Sequence, residues 1–334
     1  MAADALEQPA LMTPKAFHLV QLGLARAGDR LVSVGERGTI LLSDDNGKHW
    51  RQAKVPVSVA LTSVTFPDPK KGWAVGHSGV VLNTIDGGET WTKQLDGLAV
   101  AKLESDSAKA EADKSPAAQR RLDEAERLVQ DGADKPFLSV YFVDGQKGWV
   151  TGAYGLLFAT DDGGKTWHSL MGKTQNPNGR HLYSLKADGS RLLVVGEQGT
   201  VLTSADGGMR FDRMTPPGKG TLFGQLISSS GAWVVYGLKG NAFRSTDGGK
   251  RWVRIAMLPI SLTAGLRVSS GALILADEAG QLYRSQDDGQ HFTPLTVVDP
   301  VPITSLVESA DGTLILSGLR GVRRIELKNK EAQQ

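Results

Sequence analysis

The sequence predicts an all-β fold, a seven-bladed β-propeller, and three observations predict it. An octet of pattern Ser/Thr-x-Asp-x-Gly-x-x-Trp/Phe occurs six times. A second marker, usually Gly-x-x-Gly, occurs seven times. The aromatic ends of the octets, Trp50, Trp91, Trp167, Phe211, Trp252 and Phe292, stand about 41 residues apart, with one gap near 76. A period of about 40–45 residues holding several strands is that of a four-stranded propeller blade.

The octets are "SDDNGKHW" (43–50), "TIDGGETW" (84–91), "TDDGGKTW" (160–167), "SADGGMRF" (204–211), "STDGGKRW" (245–252) and "SQDDGQHF" (285–292). The second marker reads "VGERG", "VGHSG", "TGAYG", "VGEQG", "YGLKG", "ADEAG" and "SGLRG". In the second repeat "LTSVTF" reads as the inner strand, "KGWAVGH" as the second, "GVVLNTI" as the third and "ETWTKQL" as the outer one. The octet then joins strands three and four, and Gly-x-x-Gly joins strands two and three.

Each octet position has a mechanical reason. Asp86, like Asp45, Asp162, Asp206, Asp247 and Asp287, accepts backbone N–H groups across the turn. Gly87 and Gly88 supply the positive φ of a two-residue hairpin turn. Thr84 ties the incoming strand to the turn, and Trp91 folds back over it, as Trp50, Trp167 and Trp252 would. None of this requires a substrate, so the six aspartates read as structural.

The seventh repeat, "ITSLVES", "TLILSGL" and "GVRRIEL", has three strands and no octet. The segment around "LMTPKAFHLV" precedes the first inner strand without a blade of its own. It is therefore expected to supply the last blade's fourth strand, closing the ring and removing exposed sheet edges. Residues 1–334 then form a single propeller.

The long gap contains a helical insertion, residues 98–135, between blades two and three. In "SPAAQRRLDEAERLVQDG", Ser115 suits the N-cap, Pro116 the first turn and Gly132 the position past the end. Ala118, Leu122, Ala125 and Leu128 or Val129 form a narrow apolar stripe. "LAVAKLESDSAKAEADK" reads as a weaker second helix. Ordered insertions of this length are commonly functional. This one leaves from a connection between outer and inner strands, on the face of the Gly-x-x-Gly loops. That face offers Arg37, His77, Tyr154, Gln198, Lys239 and Arg320, and the arm adds Arg120, Arg121 and Arg127. The mixture suits protein recognition.

Composition narrows the class. The chain has 334 residues, 40 of them glycine, no cysteine and a net charge of +2. The charge is too small to point to nucleic acid. The densest basic run, "GLRGVRRIELKNK", comes with no nucleic-acid-binding motif. Lacking cysteine, the chain has no disulfide, thiolate metal site or thiol nucleophile. No apolar run nears the roughly 18 residues of a membrane span. "MAADALEQPALMTP" lacks the basic head and apolar stretch of a signal peptide and reads as the start of a processed chain. The six histidines show no metal-ligand spacing, and neither a phosphate-binding loop nor a nucleophile elbow is present. No cofactor and no metal are expected.

The octet resembles the Asp-box, or bacterial neuraminidase repeat, of sialidases, some endoglucanases, sortilin-type receptors and non-enzymatic propellers. The fuller units "KKGWAVGHSGVVLNTIDGGETW" (70–91) and "QKGWVTGAYGLLFATDDGGKTW" (146–167) resemble the photosystem II stability/assembly factor family and its bacterial relatives. That resemblance implies an exported, single seven-bladed propeller that assists a membrane-protein complex without catalysis. The lipid-anchor cysteine of cyanobacterial members is absent, and nothing in the chain indicates a photosynthetic host. For a relative in a non-photosynthetic bacterium the resemblance implies a periplasmic accessory of a membrane complex, such as a resistance-nodulation-division transporter. In a phototroph it implies the thylakoid lumen. The expected partner is an integral membrane protein, bound by a propeller that is monomeric on its own and not itself inserted in the bilayer.

The alternative is an Asp-box glycoside hydrolase, sialidase-like or endoglucanase-like. A sialidase resemblance would import an arginine triad, a Tyr/Glu nucleophile pair and an acidic proton donor. The Phe/Tyr-Arg-Ile-Pro motif is absent, since "KAFHLVQL" has no arginine. Asp144 and Asp188 follow inner strands and read as turn residues. The sequence reads as a binding protein and not an enzyme.

Overall fold

The computed structural model describes residues 2–325. Within them seven antiparallel sheets follow one another, six of four strands and one of three. Strands are adjacent in chain order, so every blade is a meander. Blade one is Gln21–Ala27, Arg30–Gly35, Ile40–Ser43 and Arg51–Gln52. Blade two is Leu61–Thr65, Gly72–Gly76, Val81–Thr84 and Thr92–Leu95. Blade three is Phe137–Phe142, Gly148–Gly152, Leu157–Thr160 and His168–Ser169, and blade four begins with Leu182–Asp188 and Arg191–Gly196. Blade seven has only Ile303–Glu308, Leu314–Gly318 and Gly321–Ile325.

Strands such as Gly72–Gly76 and Gly148–Gly152 are buried at every residue. Each blade is covered on both faces by its neighbours, so these strands are continuous apolar runs without alternation. Tryptophans lock one blade to the next. Trp73 stacks on Phe142 with centroids 3.6 Å apart, and Trp149 Nε1 donates to Gly208 O at 3.1 Å. Trp73 Nε1 also donates to Gln94 Oε1 at 3.1 Å, while Gln94 Nε2 donates to Gly163 O in blade three. Each inner strand carries a register shift at its start, for example Leu61/Ser63 and Leu182/Ser184. Such bulges raise the local twist that lets the sheets splay around an axis.

The octets form a closed clasp. Thr160 Oγ1 donates to Asp162 Oδ1 at 2.8 Å and accepts Gly164 N at 2.9 Å. Asp162 Oδ1 accepts Thr166 N at 2.9 Å, and Oδ2 accepts Thr166 Oγ1 at 2.6 Å. The other five octets repeat the serine/threonine–aspartate bond at 2.7–2.9 Å. Both glycines have positive φ, 72° at Gly87 and 92° at Gly88. The turn is longer than the two-residue hairpin expected, running from Thr84 to the outer strand at Thr92. The clasp explains the difference: its hydrogen bonds reach four residues, so "ETW" belongs to the loop. Trp91 Nε1 returns to Gly88 O at 2.9 Å.

The clasps predict a pH dependence. Hydrogen bonds from Thr166, first its side chain and then its backbone, hold the Asp162 carboxyl at about 2, below its ordinary 3.8. The unfolded chain therefore takes up the proton first. The stabilisation is complete above the unfolded value and is lost as pH falls through the folded one. The thermal midpoint should drop between about pH 4 and pH 2, and Thr166→Val should flatten that drop. Scanning calorimetry across this range is the check.

Ring closure departs in detail from the expectation. The N-terminal segment does meet blade seven, but as a 3-10 turn, Ala16–His18, beside Gly321, and not as a laddered fourth strand. Residues upstream cross to blade one instead. Ala10 N donates to Val55 O, and Gln52 Nε2 donates to Leu11 O, both at 3.0 Å. The short helix α1 (Ala2–Glu7) buries Leu6 there. The inner strands complete the circle: Thr304 Oγ1 donates to Gln21 O at 2.6 Å, and Leu24 N to Ser305 Oγ at 3.2 Å. The end of the expected strand "GVRRIEL" and the polar tail lie outside the described residues.

Candidate partner-binding face

The insertion forms two helices, α2 (Gly97–Lys109) and α3 (Pro116–Asp131). Asp96 caps α2 through Ala99 N at 3.2 Å, and Ser115 caps α3 through Ala118 N at 3.1 Å. Gly132 ends α3 with φ 77°. Of the apolar stripe, Ala125 is buried and Leu128 packs, like Leu103 and Met171, against the core between blades two and three, while Val129 stays exposed.

Three of the nine predicted recognition residues sit on this arm, and they divide. Arg121 is withdrawn from recognition. Its guanidinium holds buried Glu104 at 2.8 and 3.0 Å, Glu111 at 2.8 Å and Ser107 at 2.9 Å. Glu104 in turn accepts Ser169 Oγ of blade three. Four of the five N–H groups of Arg121 are thus engaged within the arm, tying α3 to α2 and, through Glu104, the arm to the propeller. Arg120 and Arg127 are exposed, with no ion pair among the described residues.

The loop residues share the arm's face. Gly97 at the start of α2 lies against Gly79, and Lys135 past α3 sits 4.9 Å above the Tyr154 ring. Arg37, Tyr154, Gln198 and Lys239 are exposed and left-handed, with φ of 52–55°. Such a conformation costs an L-residue about 1–2 kcal/mol. In blade two that position is Ser78, not His77; it is buried beneath Gly97, where a small residue is needed, while His77 beside it is exposed. The residue before it has a structural use. Glu36 accepts Val20 N, Glu197 accepts His181 N and Glu278 accepts Ser261 N, each pinning the loop to the start of its own blade's inner strand. Arg320 is exposed at the tip of blade seven's hairpin, without positive φ.

Between α3 and the loops of blades three and four lies a cavity of about 600 Å³, walled by Arg120, Arg127, Leu128, Tyr154 and Met171. A ladder of rings leads away from it: Tyr154 to His181 at 5.1 Å, His181 to Tyr183 at 6.3 Å and Tyr183 to Phe223 at 5.4 Å. Burial pushes the Tyr183 phenol up, with the Glu197 charge adding to it. Arg180, adjoining the cavity wall at Gly179, has buried Nε and Nη1 atoms with no hydrogen-bond partner among the described residues. Sequence reasoning missed Arg180, His181, Tyr183 and Phe223. The only signal was an aromatic at the second position of the inner strands "HLYSL" and "TLFGQL".

No cluster of metal-ligating side chains exists among the described residues, and none of their helices is long and apolar enough to cross a membrane. The described inner strands carry two carboxylates, one of them Asp188, which is the last residue of its strand and not the turn residue expected. Asp188 accepts Trp233 Nε1 at 2.6 Å and Glu308 accepts Ser269 N at 2.6 Å, so each is engaged in structure. Asp144 caps its turn through Gln146 N and Lys147 N, both at 2.8 Å.

Fold and turns together define a seven-bladed β-propeller with Asp-box clasps. The chain belongs to the photosynthesis system II assembly factor YCF48 family, whose profile matches residues 42–109 and 120–252. It is 25% identical over 201 residues to the photosystem II assembly lipoprotein Ycf48 of Synechococcus sp. (strain CC9902), covering 60% of this chain and 50% of that one. It is 24% identical over 247 residues to the chloroplastic photosystem II stability/assembly factor HCF136 of Arabidopsis thaliana, covering 72% and 50%. The chain thus spans about half the length of these relatives. A solved structure described as YCF48 bound to D1 peptide superimposes with TM-score 0.68 at 17% identity, over 96% of this chain and 97% of that one. A streptogramin B lyase superimposes with TM-score 0.69 at 12% identity, over 97% and 99%. Likeness at these identities shows the fold alone.

Proposed function

We propose that the protein is a non-catalytic, extracytoplasmic accessory factor that binds a segment of an integral membrane protein on the face carrying the arm. The cavity beneath α3 carries this reading. It joins free guanidinium groups to an apolar floor and an aromatic ladder, a combination that recognises a peptide bearing acidic and apolar side chains. Membership of an assembly-factor family supports it, as does a relative whose structure is described as bound to D1 peptide. The structural engagement of Asp188 and Glu308 supports a role without catalysis. In a non-phototroph, a resistance-nodulation-division transporter is the membrane complex of choice.

Affinity capture from native membranes is the test. The full chain should retain one membrane protein reproducibly, and the pair Arg120→Glu with Arg127→Glu should cut its recovery at least about tenfold. Undiminished capture by a folded chain lacking residues 98–135 would remove the arm from the reading. Hydrolysis of an aryl-sialoside or a β-glucan, abolished by changing one inner-strand carboxylate, would replace the reading with an enzyme.

A further inference from the structure

Tyr154, in the wall of the cavity beneath α3, is held from the next blade. Its backbone N–H, on a left-handed residue with φ 54°, donates to Nδ1 of His181 at 2.9 Å. The loop of blade five is tied in the same way, with Lys239 N donating to Ser261 Oγ at 3.4 Å. His181 and Ser261 each stand immediately before an inner strand, Leu182–Asp188 and Leu262–Arg267. In the other blades that position is Val20, Ala60, Pro136, Thr221 or Pro302, so one blade alone places an imidazole there.

An imidazole accepts a hydrogen bond only through a bare nitrogen. The bond from Tyr154 therefore leaves Nδ1 unprotonated and puts the ring's proton on Nε2, 4.0 Å from Glu197 Oε2. Groups from several elements face this ring. Glu197, on blade four's own loop, also accepts His181 N at 3.1 Å. The rings of Tyr154 and Tyr183 meet the imidazole at 5.1 and 6.3 Å. Lys135 lies over Tyr154 and is matched by Asp131 and Asp134. Arg180 adjoins in the chain, and its buried Nε and Nη1 have no partner among the described residues. A proton added at Nδ1 meets the Tyr154 N–H head-on, with an unmatched guanidinium next along the chain and a carboxylate on the ring's other side.

We infer that His181 is a pH-operated latch on the cavity beneath α3: the neutral ring holds Tyr154 in the cavity wall, and the protonated ring turns to Glu197 and releases it. The bond needs the unprotonated nitrogen, so the loop is held above the pH range in which an imidazole titrates and is freed as pH falls through that range. Acid therefore loosens the wall on which a partner would rest. That consequence for a partner depends on the proposed function, whereas the latch itself does not.

Nuclear magnetic resonance on the full chain is the test. At about pH 7.5 the His181 ring should carry its proton on Nε2 and none on Nδ1, and the opposite tautomer would overturn the inference. Between about pH 7.5 and about pH 5.5, protection of the Tyr154 amide, corrected for the intrinsic exchange rate, should fall at least about tenfold. The Lys239 amide, bonded to a hydroxyl that does not titrate in this range, should keep its protection. His181→Asn sets an amide oxygen in place of Nδ1 and should hold Tyr154 at both pH values, while His181→Phe should leave it free at both. The inference falls if the Tyr154 and Lys239 amides respond to acid alike, or if His181→Asn responds as the native chain does. A latch that titrates as described in a chain that captures no membrane protein would remove the proposed function and leave the latch standing. Capture by a chain whose Tyr154 amide ignores pH would do the reverse.

Discussion

Replacing Arg121 with alanine is expected to destabilise the protein by about 3 kcal/mol and to loosen the arm, because the change strands a buried carboxylate. Glu104 is 2% exposed, and its ligands are Arg121 and Ser169. Without the guanidinium it must take up a proton or reach for water, and either route draws α2 away from blade three. Urea unfolding gives the magnitude, and hydrogen exchange over residues 97–131 shows whether the loss is local. Pairing Arg121→Met with Glu104→Gln should recover most of the loss, since no unpaired charge then stays buried. A loss under about 0.5 kcal/mol for the single change would show that the arm is held by its apolar contacts alone.

Trp73→Ala should cost about 3–5 kcal/mol. The indole is 1% exposed, stacked on Phe142 and bonded to Gln94, which itself bonds to Gly163 of the next blade. One side chain therefore links two sheets by packing and by a hydrogen-bond chain. Trp73→Phe keeps most of the buried area but loses the N–H, leaving Gln94 Oε1 without that donor, and should cost about 1–3 kcal/mol. Denaturant titration of both variants separates the two contributions. Equal losses would mean that the indole N–H accounts for the whole effect.

Much of this was legible in the residues. Blade number followed from counting Gly-x-x-Gly against the octets, since each turn type demands its glycines. Helix α3 was readable because Ser115, Pro116 and Gly132 punctuate it locally. The fate of the N-terminal segment was not legible. The choice between pairing with Gly321–Ile325 and crossing to Gln52 and Val55 is made by long-range contacts that leave no local pattern. Arg121 was misread for a related reason: three arginines within eight residues look alike in sequence, and only the rotation of α3 about its axis decides which one meets Glu104. The aromatic ladder was hard to read because its rings come from three successive blades, Tyr154 from one, His181 and Tyr183 from the next and Phe223 from the one after.

The left-handed residues of the Gly-x-x-Gly loops have a consequence for how such a protein can change. Glycine would relax each of these positions, yet the chain keeps Arg37, Tyr154, Gln198 and Lys239 there. Their side chains are exposed, Tyr154 also meeting Lys135 and His181, while flanking glycines, with Glu36 and Glu197 in two of the loops, anchor the backbone. If the proposed function holds, folding and recognition are written in different letters of the same motif. One class of substitution would then alter whom the protein meets without altering whether it folds, and a lineage could exchange partners through these few positions while its ring stayed as it is.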